Sequence, residues 1–155
     1  YNNTVTGNTC YNNEYYGISI TTGNNNTVAG NTCYNSGDGI YLHDSYNNTV
    51  TGNACNGNYN GISLNNTSDN NTITGNTCND SGTGIYLNAS NRNTITGNTC
   101  IRGVGDPDDY TSVQYTIRLA GSFNNHNLIS SNNCMGKDVV IGGGMGNTSV
   151  NNKYN

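Results

Sequence analysis

The stretch NNTVTGNTC at positions 2–10 decides the fold, because it recurs along the whole chain. Further copies begin at Asn25, Asn47, Asn70, Arg92 and, in diverged form, His126. The cysteine that closes each copy follows the previous one by 22 or 23 residues, except for a last interval of 34. A period of this length predicts a protein built from stacked repeats.

A second short element follows each copy of the first. It reads GISI at 17–20, GIYL at 39–42, GISL at 61–64, GIYL at 84–87, TIRL at 116–119 and VVI at 139–141. Both elements alternate apolar and polar residues, which is typical of half-buried strands. Such a unit cannot bury its apolar side chains alone, so successive units must stack. The sequence therefore predicts an all-β, right-handed parallel β-helix: one domain over residues 1–155, with about six coils of 22–23 residues.

Stacking in register places like residues over one another, about 4.8 Å apart, and predicts five inward columns. The first column is Val5, Val28, Val50, Ile73, Ile95, Ile129 and Val150. The second is Ile18, Ile40, Ile62, Ile85, Ile117 and Val139, and the third is Ile20, Leu42, Leu64, Leu87, Leu119 and Ile141. The fourth is Cys10, Cys33, Cys55, Cys78, Cys100 and Cys134. The fifth is polar, and we expect its side chains to hydrogen-bond from coil to coil: Asn8, Asn31, Asn53, Asn76, Asn98 and Asn132.

The six cysteines allow two interpretations. An even number in an extracellular chain often indicates disulfides, and Cα atoms about 4.8 Å apart can be bridged. In-register side chains, however, point the same way, and a buried thiol behaves as a small hydrophobe. We expect free thiols and keep bridges between adjacent coils as the alternative. Metal binding by these cysteines is disfavoured, because the sequence has no Cys-x-x-Cys pair and no Cys and His cluster.

One interval breaks the period. Cys100 and Ile117 are 17 positions apart, where the corresponding residues elsewhere are seven or eight apart, so an insertion must loop out at about 101–114. This loop contains Asp106, Asp108 and Asp109, and carboxylates on loops can bind calcium. Their spacing matches no known calcium loop, so we expect no metal and no cofactor, with calcium as the weaker alternative. A partial seventh coil is expected at 147–155.

The motif NTITGNT, at 71–77 and 93–99, together with the strand GIYL, resembles the repeat of the parallel β-helix repeat family. Its members include NosD-like periplasmic proteins, archaeal surface proteins and, more distantly, pectate lyases and polygalacturonases. The resemblance covers nearly the whole chain and implies the fold, whereas functions within the family diverge. One departure is that cysteine replaces the usual second aliphatic residue.

The acidic residues give little indication of catalysis. Polysaccharide cleavage needs paired carboxylates on one face, or calcium with a basic residue. The acids on and around the strands fall in different columns: Asp38, Asp44, Asp69 and Asp80. His43 beside Asp44 is the one candidate pair, and its counterparts Thr21, Asn65 and Asn88 favour its interpretation as a turn. We therefore expect no catalytic residues and no enzymatic activity, and keep a degenerate polysaccharide lyase or hydrolase as a third hypothesis.

The outward residues suggest a binding module as the second hypothesis. Two ranks of threonine approximate an ice-binding face: Thr4, Thr6, Thr27, Thr49, Thr51, Thr72, Thr74, Thr94 and Thr96. Glycosylation sequons beside them would cover that face if modified: Asn2, Asn25, Asn47 and Asn70. Outward Tyr41 and Tyr86 suit protein contacts or sugar stacking, so polysaccharide is the other candidate ligand.

Composition excludes several partners. A net charge of −4 with five Lys and Arg disfavours nucleic acid, and no apolar run reaches the length of a membrane span. The chain opens at Tyr1 without a signal-peptide pattern, so we expect a processed form or a fragment. The ends of a solenoid carry unpaired strand edges, which can pair with the end of a second copy of the chain. The first hypothesis is therefore a non-catalytic, extracellular structural protein at the cell surface. It would assemble with itself, end to end, into a filament, sheath or surface layer, with cell-surface glycans as a second candidate partner.

Overall fold

The computed structural model describes residues 1–101 and 114–154, and these residues form strands and turns without any helix. The strands are β1 (Thr4–Thr6), β2 (Thr9–Tyr11), β3 (Tyr16–Thr21), β4 (Thr27–Ala29), β5 (Thr32–Tyr34), β6 (Asp38–His43), β7 (Thr49–Thr51), β8 (Ala54–Asn56), β9 (Asn60–Asn65), β10 (Thr72–Thr74), β11 (Thr83–Asn88), β12 (Thr94–Thr96), β13 (Tyr115–Ala120), β14 (Leu128–Ser130), β15 (Val140–Ile141) and β16 (Thr148–Val150). Since the described residues contain no helix, none there could cross a membrane.

Three parallel sheets run along the molecule. The Thr sheet has the order β1-β4-β7-β10-β12-β14-β16, the long-strand sheet β15-β13-β11-β9-β6-β3, and the Cys sheet β2-β5-β8. Each strand pairs in parallel with its equivalent in the neighbouring coil, for example Val28 with Val50 and Ile40 with Ile62. The prediction of an all-β right-handed parallel β-helix of about six turns is confirmed.

The core is one cluster of stacked aliphatic and cysteine side chains. Ile40, Leu42, Ile62 and Leu64 are fully buried, because alternate residues of a strand point to the same side. One column member differs from expectation. Ser149, not Val150, pairs with Ile129, and Val150 is 42% exposed. Hydrogen bonds on either side of β16 fix this register, which overrides the apolar character of Val150.

Two ladders of asparagine, one on each side of the Thr sheet, join the coils. The first contains the six residues expected and continues to a seventh: Asn8, Asn31, Asn53, Asn76, Asn98, Asn132 and Asn152. The second was not foreseen: Asn3, Asn26, Asn48, Asn71, Asn93, Asn127 and Asn147. Each backbone N–H and Nδ2 donates to Oδ1 of the next coil, as in Asn53 to Asn76, with both distances 2.9 Å. The polar groups at the corners of the coils are thereby hydrogen-bonded within the protein, without water.

The predicted insertion lies almost wholly at 102–113, which falls outside the described residues. The weak calcium candidates Asp106, Asp108 and Asp109 therefore lie outside them too. The chain re-enters the described part at Gln114 and continues into β13, which pairs with β11 in the register of the other coils. The coils on either side of the predicted insertion thus stack as neighbours.

Candidate functional site

The long-strand sheet presents three columns of polar and aromatic side chains beside its two apolar columns. We call this surface the long-strand face. In register from coil to coil, it consists of Tyr16, Asp38, Asn60, Thr83 and Tyr115; Ser19, Tyr41, Ser63, Tyr86 and Arg118; and Thr21, His43, Asn65, Asn88 and Ala120. It carries four tyrosines, one from each of four coils. No other described sheet combines aromatic, acidic and basic side chains in this way.

Aromatic rings meet at one end of this face. Tyr16 stacks on Tyr41 with ring centroids 4.2 Å apart and planes 12° from parallel. Tyr41 in turn stacks on His43, with centroids 5.7 Å apart. Tyr41 and His43 share a side because they are two positions apart in β6. Tyr16 reaches them from the neighbouring coil, so three rings form one continuous surface.

A hydrogen-bonded chain runs through the same residues. The Oη of Tyr41 lies 2.9 Å from Nδ1 of His43, and Nε2 of His43 lies 3.4 Å from Oδ2 of Asp44. Asp44 has a φ of +49°, and its Oδ1 accepts a hydrogen bond of 3.1 Å from Thr67 Oγ1. The pair that the sequence indicated as turn residues does sit at a strand end, and there it continues a chain that begins at Tyr41.

Burial controls the protonation of this site. It raises the pKa of Tyr41 to about 12, with smaller contributions from Tyr16 and from the negative charges of Asp38 and Asp44. The phenol therefore remains protonated at neutral pH and can donate a hydrogen bond. Burial also raises the pKa of Asp38, although Asn60 Nδ2 donates to Asp38 Oδ1 at 2.7 Å and opposes that shift. We call Tyr16, Asp38, Tyr41, His43 and Asp44 the Tyr41 cluster.

Cations lie towards the other end of the long-strand face. The guanidinium of Arg118 is 4.5 Å from the ring centroid of Tyr115, and Nζ of Lys137 is 4.3 Å from it. Lys137 is only 6% exposed. Tyr86 pairs in register with Arg118 on one side and with the fully buried Ser63 on the other. The face thus passes from acidic residues at Asp38 and Asp44 to basic ones at Arg118.

The remaining predicted residues lie on other surfaces. All six cysteines are free, five are buried, and Cys10 is partly exposed. The threonine ranks form on the Thr sheet, where Ala29, Leu128 and Ser130 interrupt them. The sequon residues all lie exposed at corners with φ near +57°: Asn2, Asn25, Asn47 and Asn70. None of these groups joins the Tyr41 cluster.

Together, these features define a parallel β-helix with an aromatic and polar face on its long strands. The chain belongs to the NosD family, described as periplasmic copper-binding protein, whose model matches residues 1–155. No curated protein sequence matches this chain significantly.

Three solved structures that share the fold are named as enzymes. A periplasmic alginate epimerase, AlgG, is 21% identical with a TM-score of 0.66, over 96% of this chain and 39% of that one. The A-module of a mannuronan C-5 epimerase from Azotobacter vinelandii is 15% identical with a TM-score of 0.69, over 98% and 50%. A DFA-IIIase from Arthrobacter chlorophenolicus, in complex with GF2, is 12% identical with a TM-score of 0.63, over 91% and 43%. The chain thus spans at most about half the length of these structures, and these identities show the fold alone.

The prediction that this chain is not an enzyme is wrong, since these similar structures are enzymes. That prediction assumed that catalytic groups would align within one column. In the structure, side chains from different columns meet, as Tyr16, Tyr41 and His43 do. A search for paired carboxylates by column could not detect such a cluster.

Copper, which the family description names, does not fit the described residues. Within 1–101 and 114–154, no three His, Cys, Asp or Glu side chains come together as ligands of a metal ion. The soft ligands are the cysteines, which bind metal as thiolates, and the methionines. Met145 lines one cavity with His126, and the two supply only two ligands there. Burial raises the pKa of Cys134 to about 12, which keeps that thiol protonated, whereas hydrogen bonds from Cys33 and Cys78 lower the pKa of Cys55, which is fully buried in the column. No role for copper is therefore derived.

Proposed function

We propose that this chain is an extracytoplasmic protein that binds a polysaccharide along its long-strand face. The observation that carries the proposal is the Tyr41 cluster, in which stacked rings and a hydrogen-bonded chain share one surface. Aromatic faces take the apolar faces of sugar rings, and nearby polar groups bind sugar hydroxyls. The protonated Tyr41 is a donor for such a hydroxyl, and the carboxylate of Asp44 is an acceptor.

The length of the face favours a chain of sugars over a single one. Its columns extend over five coils, which at about 4.8 Å for each step is about 19 Å. Tyrosines at both ends, Tyr16 and Tyr115, would provide separate contacts for different sugar units. Acidic residues at one end and Arg118 at the other would orient the chain.

The relatives supply independent support. The similar solved structures are named for activity on alginate, mannuronan and a fructan-type sugar, all carbohydrates. The family description and the AlgG structure both name the periplasm, which supports a location outside the cytoplasm. Placement at the cell surface is the finer proposal, and protease shaving of intact cells followed by mass spectrometry tests it.

The binding experiment uses substitutions that the fold already tolerates elsewhere. Ser19 and Ser63 occupy the column of Tyr41, so Tyr41→Ser should fold. The matched control is Tyr34→Asn on the Cys sheet, where the register partner is Asn56. On a glycan array, and then by calorimetry with the best ligand, Tyr41→Ser should weaken binding about tenfold, the equivalent of one aromatic contact. Equal affinity in Tyr41→Ser, or equal loss in Tyr34→Asn, would contradict the proposal.

A second candidate function is a proton transfer to the bound sugar. The hydrogen bonds from Tyr41 to His43 to Asp44 favour it. The Tyr41 phenol would protonate the leaving glycosidic oxygen as water attacks and the C–O bond breaks, and the phenolate would take a proton back from solvent through His43. The raised pKa makes this phenol a weaker acid than an ordinary tyrosine and its phenolate a stronger base. Purified protein would be incubated with alginate and with fructan, and the sugar protons followed by NMR. Tyr41→Phe should abolish any turnover while leaving binding largely intact. Turnover that survives Tyr41→Phe excludes this role.

Two earlier hypotheses stay predictions. End-to-end assembly into a filament, sheath or cell-surface layer predicts fibres or sheets in negative-stain images, and a monomer at high concentration would oppose it. Ice binding through the threonine ranks predicts thermal hysteresis. Leu128 in the sixth strand of the Thr sheet limits the threonine array to β1, β4, β7, β10 and β12, and Ala29 breaks one of its two ranks within β4.

A further inference from the structure

A second group of basic residues lies away from the long-strand face, at the turn that leads into the Thr sheet. Each coil has one residue here in the left-handed conformation: Asn2, Asn25, Asn47, Asn70, Arg92, His126 and Gly146, with φ between 53° and 66°. Asparagine and glycine adopt this conformation most readily. Arginine and histidine replace them in two successive coils, Arg92 and His126, at some conformational cost.

Arg92 and His126 line a cavity of about 250 Å³ together with Asn91, Asn125 and Met145. The backbone N–H of Arg92 donates to Asn125 O at 2.9 Å, and that of His126 donates to Met145 O at 2.8 Å. These bonds hold the two coils in parallel, about 4.8 Å apart. Gly146 leaves space for the imidazole, because a Cβ there would collide with Nδ1 of His126. The two basic side chains therefore border one cavity.

The amides of the cavity are already occupied. Asn91 donates through its backbone N and Nδ2 to Asp69 Oδ1, at 2.6 and 3.1 Å. Asn125 donates in the same way to Asn91 Oδ1, at 2.8 and 3.0 Å. The wall is thus rigid, and these Asn side chains leave recognition of a ligand to the two basic groups.

Within 1–101 and 114–154, neither basic side chain has such a partner. Within the described residues the one ion pair is His43 with Asp44, and the guanidinium of Arg92 makes no hydrogen bond. A guanidinium presents a planar set of donors that matches an oxyanion, and an imidazole N–H adds a further donor. Met145, 74% exposed, offers an apolar contact at the rim.

The geometry points to an oxyanion-binding pocket at this turn, in which Arg92 and His126 hold a carboxylate, sulfate or phosphate group. The volume suits one such group on a small molecule or on one unit of a larger one. The site is independent of the proposed polysaccharide binding, because none of its residues belongs to the long-strand face.

NMR of the two histidines tests the pocket. Sodium glucuronate, sulfate and phosphate are titrated separately, with NaCl holding the ionic strength constant. The ring protons of His126 should shift saturably. Those of His43 serve as the internal reference for sulfate and phosphate, which carry no sugar ring. If only glucuronate gives a saturable shift, the pocket binds a carboxylate group. If sulfate or phosphate gives one, the pocket binds a sulfate or phosphate group. Shifts that stay linear for all three anions would overturn the pocket.

Variants that restore the asparagine of the other coils show which side chains bind the anion. Arg92→Asn and His126→Asn should fold at least as well as the native chain, since asparagine occupies four equivalent corners. Arg92→Asn, followed through His126, should weaken binding by about tenfold or more, as expected for a lost charged hydrogen bond. His126→Asn should also weaken it, measured by calorimetry. Lys153→Gln, at an exposed basic residue outside both sites, is the matched control and should leave the affinity unchanged. Affinity that is unaffected in both asparagine variants rejects the assignment.

Discussion

The hydroxyl of Tyr41 and Nδ1 of His43 lie 2.9 Å apart on the same side of one strand. Neither residue has an equivalent in the coil before, where Ser19 and Thr21 occupy the two positions. The contact therefore distinguishes this coil from a uniform repeat. It also couples the phenol to Asp44, because His43 contacts both groups.

The first prediction concerns the titration of Tyr41. Burial holds the pKa of this phenol at about 12, and the negative charge of Asp38 contributes to it. Alkaline titration followed by NMR of the tyrosine rings should show one ring that ionises late, and Tyr41→Phe should remove that signal. Asp38→Asn should lower the pKa of Tyr41 because a nearby negative charge is lost. An unchanged value in Asp38→Asn would show that Asp38 does not act on Tyr41.

The second prediction concerns the stability of the fold at different pH values. Burial raises the pKa of Asp38 in the folded state, so between about 3.9, the usual carboxyl value, and the raised value the folded state holds more protons. The free energy of unfolding from this group therefore falls as pH rises through that window. Asp38→Asn should be more stable than the native chain at pH 7 and lose that advantage below about pH 4. The exposed Asp80→Asn is the control, and thermal melts at several pH values make the comparison.

The third prediction concerns the asparagine ladder. Asn53 is 2% exposed, donates to Asn76 Oδ1 and Val28 O at 2.9 Å, and accepts from Asn31. Asn53→Ala leaves several buried groups unpaired, at about 1–3 kcal/mol for each, so the loss should be at least about 3 kcal/mol. Urea unfolding should show it as a large fall in midpoint. The exposed, terminal Asn8→Ala should have a much smaller effect, and a similar effect at both positions would argue against a cooperative ladder.

The fourth prediction compares two glycines. A Cβ at Gly61 would lie 2.5 Å from Gly84 O and 2.8 Å from Cys78 Cβ, whereas a Cβ at Gly75 would meet nothing within 4 Å. Gly61→Ala should therefore cost about 2–3 kcal/mol through overpacking. Gly75→Ala should cost about 1 kcal/mol, because its φ is +64°. Urea midpoints in the reverse order would contradict the close approach of the coils at Gly61.

The fifth prediction concerns the thiols. Burial keeps five cysteines from a thiol reagent, so only the partly exposed Cys10 should react before unfolding. Cys134 has a folded pKa of about 12, mainly through burial, against about 8.5 in the unfolded chain. Between these values the folded state holds more protons, so the free energy of unfolding should fall as pH rises from about 8.5. Cys134→Ala should show a shallower fall. Rapid labelling of all six native thiols would contradict the burial of the column.

The sequence predicted the fold well for a physical reason. Alternating apolar residues at a fixed period can be buried in only one way, by stacking like on like, and Ile40 over Ile62 follows directly. The second asparagine ladder was also present in the pattern, since Asn3 recurs with the same period as Asn8. The glycosylation sequon starts at Asn2, one residue earlier, and this overlapping motif obscures the ladder. The apolar character of Val150 predicts that it belongs to the first column, but the register that Asn152 sets places Ser149 there instead.

The Tyr41 cluster could not be predicted in the same way. A repeat fixes which residues share a column, but it does not fix how long side chains lean between columns. Tyr16 belongs to one column and Tyr41 to another, yet their rings stack at 4.2 Å. His43 and Asp44 were noticed as a pair, and their contact with Tyr41 depends on side-chain rotamers.

By itself, then, the period of the sequence determined the coils, the sheets and the residues that point inward, because burial of apolar side chains admits a single in-register stack. Only the tertiary structure decided which outward side chains touch. The stacked rings of Tyr16 and Tyr41 and the shared cavity of Arg92 and His126 arise between residues of neighbouring coils. Their contacts depend on the distance and angle between coils, which no single repeat encodes.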